Sequence, residues 1–179
     1  MTPEQIDKIR QRLMFVESSH KDFDAQTDWK IEPDRGSQRL VFVTAVRLAG
    51  ALRGGVSIRL KTPIDAWEGD VYGHVEVQAP GLKGTMRLCA IEWRPLHEHD
   101  NPPNAPPAHR YTKLQDRWYP YELNKELSID VFLQRTAGIA APLPRHVDNF
   151  REYCDLCSNL WRCPDMMGLK PPPWSRTLL

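Results

Sequence analysis

Apolar residues near the start of the chain recur at helical spacing. Ile6, Ile9, Leu13 and Val16 stand three, four and three residues apart, which is one stripe on a helix. Thr2 and Gln5 have capping-box spacing and Pro3 stands where the first helical residue belongs, so the pattern predicts a helix over 2–16. Further on the period falls to two. In Val56–Lys61, Ser57, Arg59 and Lys61 alternate with Val56, Ile58 and Leu60. Arg39–Leu48, Val71–Val77 and Thr85–Trp93 are similar runs, with Asp28–Glu32 as a candidate edge strand and Arg117–Tyr121 as a short last one. The breaks between them carry turn residues: Arg53-Gly54-Gly55, Trp67-Glu68-Gly69-Asp70, and Pro80-Gly81 with Gly84. Strands joined this closely pair antiparallel, which predicts a meander of about five strands within 28–122. Arg39–Leu48 is apolar on both faces, so it should be central and covered by helices on at least one side.

Residues 94–116 interrupt the alternation. Pro102, Pro103, Pro106 and Pro107 exclude a helix or a central strand there and predict a long surface loop. Helical spacing returns in 124–163. Asn124 is placed to cap a helix through about Ala137, with Leu127, Phe132 and Leu133 facing inward. A second helix, from about Arg145 to Trp161, has Val147, Phe150, Cys154, Cys157 and Trp161 along one seam. Pro171-Pro172-Pro173 makes the tail, 170–179, extended and loose. The fold class expected is α+β in one domain, 1–179: an N-terminal helix, an antiparallel sheet, a Pro/His-rich loop and two C-terminal helices packed on the sheet.

Composition narrows the function classes. The chain has 179 residues, 41% of them hydrophobic, enough for a core without disulfides or metal as its main support. A net charge of +1 gives no signature of bulk nucleic-acid or membrane-surface binding. No run resembles a signal peptide or a membrane span, so the expectation is a cytoplasmic, prokaryotic protein with no membrane partner. The four cysteines then read as thiols or ligands before disulfides.

Three groups of residues carry candidate chemistry. The first is Cys154-x2-Cys157-x5-Cys163, whose spacing resembles the three-cysteine C-terminal element of iron–sulfur nucleases related to the RecB family. The resemblance covers ten residues and implies a cluster completed by an upstream cysteine, for which Cys89 is the candidate. That family's acidic residue followed by Glu-x-Lys is absent, since Val75-Glu76-Val77-Gln78 lacks the lysine, so nuclease activity is not carried over. Core packing, metal ligation and redox chemistry stand as alternatives for these thiols. The second group is His97, His99 and His109. On an extended segment, His97 and His99 point to one side about 7 Å apart, and with His109 folded back they suit a zinc ion with one open position. Glu92 or Asp100 then serves as general base for a metal-activated water. The competing reading is that the histidines cap strand ends. The third is a mixture of rings and cations, Trp93, Arg94, Arg110, Tyr111, Arg117 and Trp118, suited to single-stranded nucleic acid or a protein partner. The phosphate-binding, dinucleotide and nucleophile-elbow glycine motifs are missing.

Taken together, the residues point first to a small binding or accessory protein acting through the aromatic and basic face. A protein partner or self-association is favoured there over nucleic acid. The second reading is a metal-dependent hydrolase or nuclease using zinc held by His97, His99 and His109.

Overall fold

The computed structural model describes residues 1–25, 27–34, 36–51, 55–78, 81, 84–110, 113–133 and 138–175. It is a mixed α+β protein built on a large antiparallel sheet. Helix α1, Pro3–Ser18, starts as its sequence dictates: Thr2 Oγ1 accepts from the Gln5 N–H, and Gln5 Oε1 accepts from the Thr2 N–H. Its Ile9, Leu13 and Val16 are buried, as the stripe requires.

The sheet is larger than the alternation suggests. Its spine is β3 (Ser37–Leu48), β4 (Val56–Pro63), β5 (Val71–Gln78) and β6 (Thr85–Trp93), all antiparallel neighbours. Short strands extend it on both sides. β1 (Lys21–Phe23) and β2 (Lys30–Asp34) pair along one edge of β3, while β9 (Arg117–Tyr119) pairs with β6 and β10 (Ala141–Pro142) with β9. That makes an eight-stranded sheet among the described residues, in place of the five strands expected.

One face of this sheet is the core. Val56, Ile58 and Leu60 of β4 pack there with Val71, Val75 and Val77 of β5. Helix α4, Phe150–Trp161, lies directly over β5 and buries Phe150, Cys154, Cys157 and Trp161 along the seam read from sequence. The helix begins at Phe150 instead of Arg145 because Asn149 caps it. The Asn149 side chain accepts from the Glu152 N–H, and Glu152 Oε2 accepts from the Asp148 N–H.

The helix expected from Asn124 is instead two single turns, α2 (Tyr121–Asn124) and α3 (Ile129–Phe132); Ala137 lies outside the described residues. Asn124 is the last residue of α2, and its buried amide clips the chain at Ile139, accepting from the Ile139 N–H and donating to the Ile139 carbonyl. The tail is extended but anchored. Trp174 is buried, donates to Thr62 Oγ1 and sits edge-on to Phe150, and the Ser175 N–H reaches the Ile64 carbonyl.

The opposite face of the sheet is polar. Ser57, Arg59 and Lys61 of β4 lie beside Tyr72, His74 and Glu76 of β5, with Arg87 and Glu92 of β6 and Arg117 and Tyr119 of β9 beyond. Part of the 94–116 segment is ordered by a separate two-stranded pairing of β7 (His99–Asp100) with β8 (Lys113–Leu114), and Pro107–His109 forms a 3-10 turn.

Candidate functional site

The Pro/His segment folds around Asn101. Asn101 is buried, donates to the carbonyls of His109 and Ala140, and accepts from the Ala140 N–H. His99 Nε2 meets the same amide oxygen at 3.2 Å, and its ring stands edge-on to Tyr119. Burial and then the nearby Arg117 guanidinium push the His99 pKa down. His109 enters this arrangement through its carbonyl, and His97 gives its carbonyl to Arg117. The three imidazoles are therefore not brought together on one point. Among the described residues, no group of three or more His, Cys, Asp or Glu side chains is placed to hold a metal ion, the Cys154, Cys157 and Cys163 set included.

The cysteines lie in the core without disulfides. Burial pushes the thiols of Cys89, Cys154 and Cys163 up to about 12, and Cys157 is raised too. A thiolate is the form that ligates or attacks, so these surroundings favour packing over chemistry.

The rings and cations of the third set are used largely within the fold. Trp93 is fully buried and donates from Nε1 to the Val147 carbonyl. Arg94 lies over the Trp93 ring at 4.7 Å and donates to the carbonyls of Glu68 and Asp148. Arg110 Nε bonds the Ala105 carbonyl. Arg117 is buried, ion-paired to Glu92, and donates to the carbonyls of His97, Leu114 and Gln115. Trp118 packs half-buried against the core, and Tyr111 lies outside the described residues.

A concave site lies elsewhere. A cleft of about 350 Å³ lies between the segment joining β1 to β2 and the residues that follow α4. Phe42 of β3 forms part of its lining, with ring centroids of Phe23 at 5.7 Å and Trp29 at 5.8 Å from that of Phe42. Two hydrogen bonds join its sides: the Phe23 N–H donates to Asp165 Oδ2, and Trp29 Nε1 donates to the Lys170 carbonyl at 2.9 Å. Asp24, Asp28 and Asp165 line it with the single cation Lys170, and Asp24, Ala25, Asp28 and Lys170 are exposed, so it opens to solvent. Sequence reasoning missed this site because its halves are about 140 residues apart, and Phe23–Trp29 has neither the period of a helix nor that of a long strand. The signal present was composition: two rings and three aspartates between positions 22 and 29.

Comparison of the chain with protein-family models, curated proteins and solved structures finds no match. Among the described residues no helix is long and apolar enough to cross a membrane.

Proposed function

We propose that this is a binding protein whose cleft receives a lysine or arginine side chain presented by a partner protein. The observation that carries the reading is the lining: aromatic rings from Phe23, Trp29 and Phe42 combined with three carboxylates against one ammonium. An aliphatic stem gains from contact with the rings, and a cation over a ring gains about 0.5–2 kcal/mol depending on desolvation. The carboxylates at the rim attract the same charge and repel acidic partners. The volume lies at the lower end of the roughly 300–1,000 Å³ usual for ligand sites, suited to one side chain and not to a folded domain. The binding surface is thus this acidic and aromatic cleft, and the basic face read from sequence serves the fold.

The test is calorimetric titration with a capped tripeptide carrying a central arginine, set against its citrulline counterpart, which has nearly the same shape but no charge. The arginine peptide is expected to bind, Asp28→Asn to weaken it about three- to tenfold, and Trp29→Ala to weaken it at least as much. Equal affinity for the citrulline peptide, or preference for an oligosaccharide over both, overturns the proposal.

A further inference from the structure

We infer that the polar face of the sheet carries a second site, for a tetrahedral oxyanion of the sulfate or phosphate class, built from Arg59, Lys61 and His74. Strand alternation places Arg59 and Lys61 on one face of β4, two residues apart. Register places His74 of β5 directly opposite Arg59, and Tyr72 opposite Lys61. The three side chains are therefore neighbours by construction.

The hydrogen bonds in this group are incomplete. The His74 side chain is 4% exposed, and its Nε2 meets Glu76 Oε1 at 2.9 Å. Its Nδ1 is buried with no partner. Arg59 Nε, on the opposing residue, is also buried with no hydrogen-bond partner. The guanidinium approaches Glu32 and Glu76 only at 3.8 and 3.9 Å, beyond hydrogen-bond range. The ammonium of Lys61 is close enough to act on the His74 charge, yet among the described residues it makes no ion pair. Buried polar atoms are ordinarily satisfied, so the orphan Arg59 Nε–H beside an unpaired ammonium marks a place for an acceptor, and His74 Nδ1 becomes a second donor there once the ring is protonated.

The charged and titratable groups facing His74 are Arg59 and Lys61 of β4, Tyr72 and Glu76 of β5, and Arg87 of β6, with Glu32 of β2 reaching Arg59. Arg87 is occupied by the Tyr72 hydroxyl and lies over the Tyr119 ring. Cations outnumber carboxylates, which favours an anion. A bound oxyanion accepts from Arg59 Nε–H and from Lys61. His74 takes a proton from solvent and donates from Nδ1, while its Nε2–H stays on Glu76.

This arrangement fixes the pH dependence. Burial holds His74 below its ordinary 6.5, against the pull of Glu76, so the empty site is neutral at that ring near pH 7. A neighbouring anion raises the His74 pKa. Binding therefore takes up a proton, and affinity rises as pH falls below neutrality, by at most about tenfold per pH unit.

Sulfate is the probe, since it does not titrate in this range. Calorimetry on the full chain at low ionic strength, at pH 5.5 and 7.5, is expected to show one sulfate per chain, bound more tightly at pH 5.5. Arg59→Gln and Lys61→Gln should each weaken it roughly ten- to hundredfold, the worth of a charge-assisted hydrogen bond. Glu32→Gln, which removes a competing carboxylate, should tighten it, a gain that misfolding cannot produce. His74→Gln should flatten the pH dependence, while Asp28→Asn leaves sulfate binding unchanged. Methyl phosphate run beside sulfate separates the sources: binding of both assigns the site to phosphate esters, and sulfate alone to free ions. Absence of binding at pH 5.5 overturns the inference, and so does binding indifferent to both Arg59→Gln and Lys61→Gln, which leaves an adventitious ion only.

Discussion

Arg117 is 6% exposed, and its partner Glu92 faces it directly across the β6–β9 pairing. Arg117 has left bulk water and Glu92 is mostly withdrawn from it, so each depends on the other. Removing one partner of a buried pair costs about 3–5 kcal/mol because the remaining charge is uncompensated, whereas replacing both with apolar residues is often near neutral. Arg117→Met alone is thus expected to lower stability by that amount, and Arg117→Met with Glu92→Leu to recover part of it, since the carbonyls of His97, Leu114 and Gln115 still lose their donor, as read by urea denaturation. A single variant costing under about 1 kcal/mol would mean that the pair is solvated. In sequence, Arg117 looked like a surface cation, because charged residues are rarely buried. What buries it is the return of β9 to pair with β6, with Glu92 25 residues earlier in the chain. The histidines went the same way. Spacing showed that His97 and His99 lie close in the chain, but it could not show that the Asn101 amide would take His99 Nε2 and the His109 carbonyl as partners.

Elements with a long period were legible and those without were not. β3 to β6 and the apolar seam of α4 stood out because burial on one face imposes an alternation or a helical stripe over many residues. β1 and β10 have three and two residues, too few to carry a period, and only their pairing, β1 with β3 and β10 with β9, defines them as strands. The segment after Asn124 satisfied the helical template, yet its amide is committed to Ile139, so the turn stops there. How closely α4 approaches the sheet was also invisible beforehand. It is set by Gly73 of β5, where an added Cβ would fall within contact distance of the Tyr153 hydroxyl, 2.6 Å from Leu60 Cδ2 and 2.9 Å from the Trp161 ring. These atoms are side-chain ends, but all three residues are buried in the core and have little room to give. Gly73→Ala is expected to push α4 off β5 at a cost of about 1–3 kcal/mol, the usual range for overpacking, with a shift in near-ultraviolet circular dichroism from Trp161 and Tyr153. An unchanged urea midpoint would show that α4 sits farther from the sheet than described.

At the scale of the whole molecule the sheet separates two chemistries. Its core face ends in the acidic aromatic cleft, where Phe42 points toward the helices, and its other face carries Arg59, Lys61 and His74. The cleft also depends on tertiary structure that the oxyanion face does not use. The segment forming one side of it is held by Trp174, whose Nε1 bonds Thr62 and whose ring meets Phe150. Trp174→Ala removes a large buried ring, at an expected cost of about 3–5 kcal/mol. It should also free the Lys170 carbonyl from its position at Trp29 and weaken the arginine peptide. Sulfate affinity should change less than about twofold, since well-separated sites without shared partners behave additively. The reciprocal experiment is stricter. Saturating sulfate should leave the affinity for the arginine peptide unchanged, because coupling between two sites must act equally in both directions. A mutual change of fivefold or more in calorimetry would mean that the sheet transmits between its faces, and that the cleft and the oxyanion site form one regulated unit instead of two independent ones.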